Sequence, residues 1–196
     1  MLQALAGRDA GDPASSREPV PDYTAGLGGG VRGLRIGVPR AYFMDGLSGE
    51  VATAFEAALD TLKKLGAEVT DVTIPSIHAS PAFMVILLAE AYAYHERDLR
   101  EHPELFGEVL REKMLAGALF TAAEYVQAQR VRARLQAEMA EALGRVDLLA
   151  TPTTITTAVP FTSAWDPNAP FAKSNMAPFN MTGLPALVMN GARVAG

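Results

Sequence analysis

Arg132 is the residue whose type and position point most directly to chemistry. Its segment, TAAEYVQAQRVRARLQAEMAEALGR, repeats apolar side chains at helical spacing, namely Tyr125, Ala128, Leu135 and Met139. At about 100° per residue, Arg132 falls inside this apolar stripe, whereas Arg130 and Arg134 point the other way. A guanidinium on an apolar face needs an acceptor, so two interpretations stay open. Arg132 either forms an internal ion pair, for which Glu90 is the candidate, or contacts an anionic ligand at the rim of a pocket.

Hydroxyl and amide groups occur together in two further segments. The segment TPTT, which begins at Thr151, follows an apolar run that predicts a strand. Ligands of open α/β sheets bind beyond the carboxyl ends of the strands, so Thr151 and Thr153 are candidates for a pocket wall. A plain turn stabilised by hydroxyl groups is an equal alternative. In FNMTGLP, Asn180 and Thr182 form a polar turn that either lines a pocket or serves packing.

Other residues of types that could act in catalysis or bind a ligand do not form a recognisable site. Ser15 and Ser16 lie in DPASSREP, a turn-rich segment without a nearby base, so we interpret them as turn residues rather than nucleophiles. His95 and Glu96 lack the second histidine of a metalloprotease helix, because position 99 is leucine. The glycines of GLGGG precede a strand instead of following one, which favours a linker over a phosphate loop. The sequence predicts no metal and no cofactor.

Composition excludes several functional classes. The 196 residues include no cysteine, which rules out disulfides, thiolate zinc sites and a cysteine nucleophile. The net charge is −5 and the basic residues are scattered, so a surface for nucleic acid is not expected. The first residues lack the pattern of a signal peptide, and Glu90 interrupts the apolar run 82–89 far short of a membrane span. We therefore expect a soluble, cytoplasmic protein that binds no membrane.

The elements that would position these residues alternate between strand and helix. Residues 1–33 are dense in Gly, Pro, Asp and Ser, which predicts a linker before a domain that covers residues 34–196. LRIGVP predicts a buried strand, the segment from Ser48 to Gly66 a capped helix, and EVTDVTIP a second strand. A strand, a helix and a strand in this order form a parallel pair.

The rest of the chain predicts helices and two more strands. AFMVILLAEAYAYHERDL is apolar on nearly every side, which is typical of a helix buried all round. LFGEVLREKMLAG predicts another helix, and Thr121 with Glu124 forms a capping box that begins a third. VDLLATPTT predicts a strand, and NMTGLPALVM a loop followed by a final strand at 184–189. These patterns predict an α/β fold with several parallel strands and a helical insertion.

Several blocks resemble one known family when they are considered in order. These are LQALAGRDAGDPASS, GLRIGVPRAYF, ALDTLKKLGAEV, AAEYVQAQRVR, VDLLATPTT and PFNMTGLPAL, which together cover nearly the whole chain. They are similar to the amidase signature family, which includes assorted amidases and a component of the glutamyl-tRNA amidotransferase. The resemblance implies a partial mixed sheet flanked by helices, as a fragment of that α/β fold, and hydrolysis of carbon–nitrogen amide bonds.

The same resemblance implies that this chain is the C-terminal part of such an enzyme, truncated at both ends. Family members use a serine nucleophile, a cis-bonded serine and a lysine, carried by a Gly/Ser-rich signature and a strand upstream of LQALAGRDAGDP. No run like GGSSGGS is present here, so no catalytic residue is expected in the chain. It would supply pocket and sheet elements and be inactive alone. Its partners would be a small-molecule amide substrate and the missing N-terminal catalytic half.

The resemblance also bears on substrate contacts. In the tRNA amidotransferase branch, the arginine of the AQ-[KR]-V-R block resembles a ligand of the substrate carboxylate, and here it is Arg132. That branch also has an aspartate shortly before the TGLP loop, where this chain has Lys173, which favours a general amidase. An alternative from a different class is a free-standing, non-catalytic α/β module in which Arg132 holds an anionic ligand or a structural carboxylate.

Overall fold

The computed structural model of the chain describes residues 1–158 and 175–190. Its centre is a three-stranded sheet in the order β2-β1-β3. The strands are β1 (Arg35–Val38), β2 (Glu68–Asp71) and β3 (Leu148–Leu149). Ile36 lies opposite Val69 on one side and Leu148 on the other, and both pairings are parallel. The expected α/β class, a partial sheet flanked by helices, is confirmed.

Helices cover most of the remaining described chain. They are α1 (Leu2–Leu5), α2 (Arg40–Phe43), α3 (Gly49–Lys64), α4 (Phe83–Glu101), α5 (Glu108–Ala116), α6 (Ala122–Leu143) and α7 (Ala177–Thr182). Short 3-10 turns lie at Ile77–Ala82, Pro103–Leu105 and Gly117–Leu119. No residue of 1–33 is buried, and α1 is the helix in that segment. The division into a linker and a domain stays a prediction.

The β1–α3–β2 unit follows the predicted pattern. The Ser48 side chain accepts a hydrogen bond from the Val51 N–H at 3.4 Å and so caps α3. Leu59 on α3 is 1% exposed, and the chain leaves the helix at Gly66, whose φ of +97° favours glycine. The crossover between two parallel strands is therefore an α-helix, as the sequence predicts.

A helical layer built on α4 and α6 forms the second part of the structure. The capping box at the start of α6 is confirmed, because Thr121 Oγ1 accepts from the Glu124 N–H at 3.2 Å and Glu124 Oε2 accepts from the Thr121 N–H at 2.8 Å. At Gly117 an added Cβ would lie 2.0 Å from the carbonyl oxygen of Leu88. The turn after α5 therefore packs directly on the backbone of α4.

The core lies where this helical layer meets the end of the sheet. It consists of the buried residues Tyr42, Phe43, Ile74, Ile77, Ile86, Ala128, Leu135, Met139, Ala142 and Met181. These residues come from α2, the turn that precedes α4, the helices α4, α6 and α7, and the segment after β2. One continuous cluster thus fixes α6 and α7 relative to the sheet.

The prediction that α4 is buried all round is wrong. Ile86 and Leu99 are its buried residues, whereas Leu87 is 49% exposed and Tyr94 is 84% exposed. The run Ile77–Glu101 has the length and hydropathy of a membrane-spanning helix, and 17% of its most apolar window is buried. Contacts with α5, α6 and the turn at Gly117–Leu119 cover part of it. The expectation that the protein binds no membrane stays a prediction.

The prediction for the C-terminal segment is also wrong. The expected loop is helical at Ala177–Thr182, and residues 184–190 form no strand. Leu187, Val188 and Met189 are 87%, 63% and 75% exposed. A strand needs a neighbouring strand for its backbone hydrogen bonds, and none of the described residues pairs with this segment.

Candidate functional site

Arg132 lies on the face of α6 that is turned towards the rest of the protein. It is partly buried, whereas Arg130 and Arg134 are exposed. The Nε atom of Arg132 is enclosed and has no hydrogen-bond partner in the part of the chain that the structure describes. The orientation that the helical spacing predicts is therefore observed, and the guanidinium retains an unused donor.

Glu90 on α4 does not pair with Arg132. Its Oε1 accepts a hydrogen bond from the Tyr125 hydroxyl at 2.7 Å and a longer one from Gln129 Nε2 at 3.4 Å. Gln129 Nε2 also donates to the Tyr125 hydroxyl oxygen at 2.8 Å. The interpretation of an internal Arg132–Glu90 ion pair is therefore wrong within the described residues, because two neutral donors bind this carboxylate instead.

The electrostatics of Tyr125 reflect this arrangement. The hydrogen bond to Glu90 raises the pKa of Tyr125, and the hydrogen bond from Gln129 lowers it to a smaller extent. The positive charge of Arg132 also acts to lower the pKa of Tyr125. The guanidinium thus lies close enough to the Tyr125 hydroxyl to influence its titration.

At the other end of the same face, α6 contacts α7. Gln136, one turn beyond Arg132, donates from Nε2 to the Thr182 carbonyl oxygen at 3.1 Å. The Thr182 hydroxyl is buried and donates to the Pro178 carbonyl oxygen at 2.8 Å, within its own helix. The Asn180 residue is exposed. Arg132 therefore lies between the group formed by Glu90, Tyr125 and Gln129 and the contact with α7.

Thr151 and Thr153 lie in the loop that follows β3, and both are partly buried. Within this loop the Thr154 hydroxyl donates to the Thr156 carbonyl oxygen at 2.8 Å. Asn175, two residues before α7, hydrogen-bonds to this loop, and the sequence did not indicate this residue. Asn175, 2% exposed, donates from Nδ2 to the carbonyl oxygens of Pro152 at 2.8 Å and Phe43 at 3.1 Å.

Asn175 therefore connects α2, which follows β1, with the loop that follows β3, at the carboxyl edge of the sheet. Its Oδ1 is buried and has no partner among the described residues. An isolated asparagine in a polar, proline-containing stretch carries no sequence signal for this role, because the two carbonyl groups it binds are distant in the chain. The elements that carry the predicted Thr151, Thr153, Asn180 and Thr182 thus adjoin one another through Asn175 and α7.

Ser15 and Ser16 accept hydrogen bonds from nearby backbone N–H groups, as turn residues do. Ser15 Oγ accepts from the Asp9 N–H at 2.9 Å, and Ser16 Oγ accepts from the Glu18 N–H at 3.2 Å. Residues 1–158 and 175–190 hold no group of His, Cys, Asp or Glu that could bind a metal ion. Lys173 lies outside the described residues. The Arg132 guanidinium, whose Nε has no partner among the described residues, can bind an anion, and the site that we describe contains no activated nucleophile.

Comparisons with known proteins agree on one family. The sequence profile of the family described as Amidase matches residues 1–195. An amidase of Pseudomonas putida is 49% identical over 154 residues, which cover 78% of this chain and 33% of that protein. The glutamyl-tRNA(Gln) amidotransferase A-subunit of Roseiflexus sp. (strain RS-1) is 35% identical in an alignment that covers 100% of this chain and 46% of that protein.

A solved structure shows the same likeness. The crystal structure of the corresponding glutamyl-tRNA(Gln) amidotransferase A-subunit from Thermotoga maritima superposes with a TM-score of 0.71 at 28% sequence identity. The match covers 90% of this chain and 39% of that one. The chain thus spans less than half the length of these relatives. The profile match over nearly all of its residues shows that the chain belongs to the amidase family.

Proposed function

We propose that this chain supplies the substrate-binding wall and part of the sheet of an amidohydrolase that acts on linear amides. Arg132 carries the proposal, because its enclosed Nε has no partner among the described residues and Glu90, its obvious counterion, is bound elsewhere. An unpaired guanidinium at a half-buried position is a site for a carboxylate or another anionic group of a substrate. The named activities of the relatives support amide chemistry.

In this proposal, the attack on the carbonyl is made by residues that lie outside this chain. The resemblance implies a serine, a cis-bonded serine and a lysine, whereas Ser15 and Ser16 accept hydrogen bonds in turns. A serine without an activating base does not reach a useful rate of attack. The chain alone is therefore inactive, and its partner is the catalytic half of an amidase.

The remaining contacts are assigned by position. Thr151 and Thr153 follow the carboxyl end of β3, where ligands of parallel sheets bind, and Asn180 offers an exposed amide on α7. Thr182 contributes mainly through its backbone, because its hydroxyl is bound within the helix. The proposal includes a cytoplasmic location and no cofactor. A free-standing module unrelated to amidases fits less well, because the family match covers nearly the whole chain.

Two measurements on the purified chain test this function. Hydrolysis of benzamide should not exceed the rate in buffer, and turnover that a Ser15→Ala or Ser16→Ala change abolishes would contradict the proposal. Binding of benzoate, followed through the arginine Nε–H signals in nuclear magnetic resonance spectra, should shift Arg132. Benzamide, which lacks the negative charge, should bind more weakly.

The matched variants for the binding measurement lie on the same helix. Arg132→Ala should abolish benzoate binding, whereas Arg130→Ala, which removes an exposed arginine about half a turn away, should leave it unchanged. Equal losses in the two variants would mean that benzoate responds to the general charge of α6 and would contradict the assigned role.

A further inference from the structure

Arg132 and Glu90 lie at the same contact between α4 and α6 without forming a pair. Gln129 is three residues from Arg132, a spacing that makes the two side chains neighbours on the helix surface. The Gln129 amide in turn lies 3.4 Å from Glu90 Oε1. Gln129 therefore lies beside both charged residues, Arg132 on its own helix and Glu90 on α4.

The hydroxyl of Tyr125 binds Glu90 in this arrangement. It donates to Glu90 Oε1 at 2.7 Å, which is the short distance typical of a hydrogen bond to a charged acceptor. A carboxylate only accepts hydrogen bonds, so the donor end of the Gln129 amide must face Glu90 and Tyr125. Two neutral donors therefore hold Glu90. They supply hydrogen bonds to its carboxylate, but neither carries a positive charge that would form an ion pair with it.

We propose that Tyr125 is a positioning residue that keeps Glu90 away from Arg132 and so keeps this guanidinium free for the carboxylate group of a ligand. The inference rests on the proposed function, because it gives the Arg132 site a means of staying open. Without the Tyr125 hydroxyl, Glu90 turns towards Arg132 and competes with the ligand from within the chain. The ligand class is a small carboxylate, and an uncharged amide is affected less.

Variants of the full chain test this with benzoate as the probe. Tyr125→Phe should weaken benzoate binding by about fivefold, which corresponds to an ion pair of about 1 kcal/mol. The double variant Tyr125→Phe with Glu90→Gln should restore the affinity, because the competing charge is gone. Tyr94→Phe is the matched control, since Tyr94 lies on α4 and is 84% exposed. Thermal unfolding of each variant confirms that it is folded.

The outcomes separate this inference from the proposed function. An unchanged affinity in Tyr125→Phe, or a loss that Glu90→Gln does not restore, overturns the positioning role while the Arg132 site stands. If the unmodified chain does not bind benzoate, the assigned role of Arg132 fails. The pairing is then measured without any ligand, because the Arg132 Nε–H signal should shift in Tyr125→Phe and return in the double variant. No shift in that spectrum also overturns the inference.

Discussion

Asn175 and Thr182 are both buried polar residues at α7, but their hydrogen bonds reach different distances along the chain. The Thr182 hydroxyl binds a carbonyl group four residues earlier, within the same helix. The Asn175 amide binds Pro152 and Phe43, which are 23 and 132 residues away. Buried carbonyl groups that lose a donor keep the cost of their desolvation. Asn175 therefore stabilises the tertiary structure, whereas Thr182 stabilises one helical turn.

Asn175→Ala should destabilise the fold by about 2 kcal/mol, because two buried carbonyl oxygens lose the donor that they share. Chemical denaturation measures the change in the free energy of unfolding. Asn180→Ala is the control, since it removes the same side chain from an exposed position nearby. Similar values for the two variants would show that the contacts of Asn175 add nothing to stability.

The sequence alone indicates the direction of Arg132 but not its partner. Helical periodicity fixes which face of α6 a residue occupies, and Arg132 follows that rule. The pairing of Glu90 with Tyr125 depends on how two helices approach each other, and no local pattern encodes that distance. The same holds for Asn175, because the carbonyl groups that it binds are brought to it by the sheet.

At the scale of elements, the contact between α4 and the turn at Gly117–Leu119 allows no side chain at its centre. Gly117→Ala should destabilise the fold by about 2 kcal/mol, because the new Cβ would overlap the Leu88 carbonyl oxygen, which is 2.0 Å away. Thermal unfolding followed by circular dichroism measures the change.

Gly28→Ala is the control for that change. Gly28 lies in the exposed segment before β1, is not among the glycines with a positive φ, and a Cβ there would meet nothing within 4 Å. Its melting temperature should stay close to that of the unmodified chain. If both alanine variants melt together, the turn can shift away from α4 without cost and the contact is not tight.

The sequence predicts correctly the helices that are defined by local capping signals. It does not predict elements whose formation depends on residues distant in the chain. The caps at Ser48 and Thr121 define α3 and α6 as expected, because each cap is closed by residues three positions away. The apolar run at 184–189 has the composition of a strand but no neighbour among the described residues. Composition predicts what a segment prefers, and pairing decides what it forms.

At the scale of the whole molecule, large apolar side chains of the described residues are exposed on several faces. They include Leu87 and Tyr94 on α4, Leu110 and Leu115 on α5, and Leu187, Val188 and Met189 after α7. Large exposed apolar patches mark surfaces that contact further protein. These side chains agree with the proposal that further protein covers these faces in an active amidase.

The placement of β1 in the middle of the sheet has a consequence for the order of folding. Its pairing with β2 joins residues 35 and 68, whereas the Arg35–Asp147 ion pair beside β3 closes a separation of 112 residues. Closing the longer loop costs about 1 kcal/mol more in chain entropy. We expect the β1–α3–β2 unit to form first and β3 to join after the helices have condensed. In pulse-labelled hydrogen exchange, the Glu68 amide should then gain protection before the Asp147 amide, and simultaneous protection would mean that the three strands assemble in a single step.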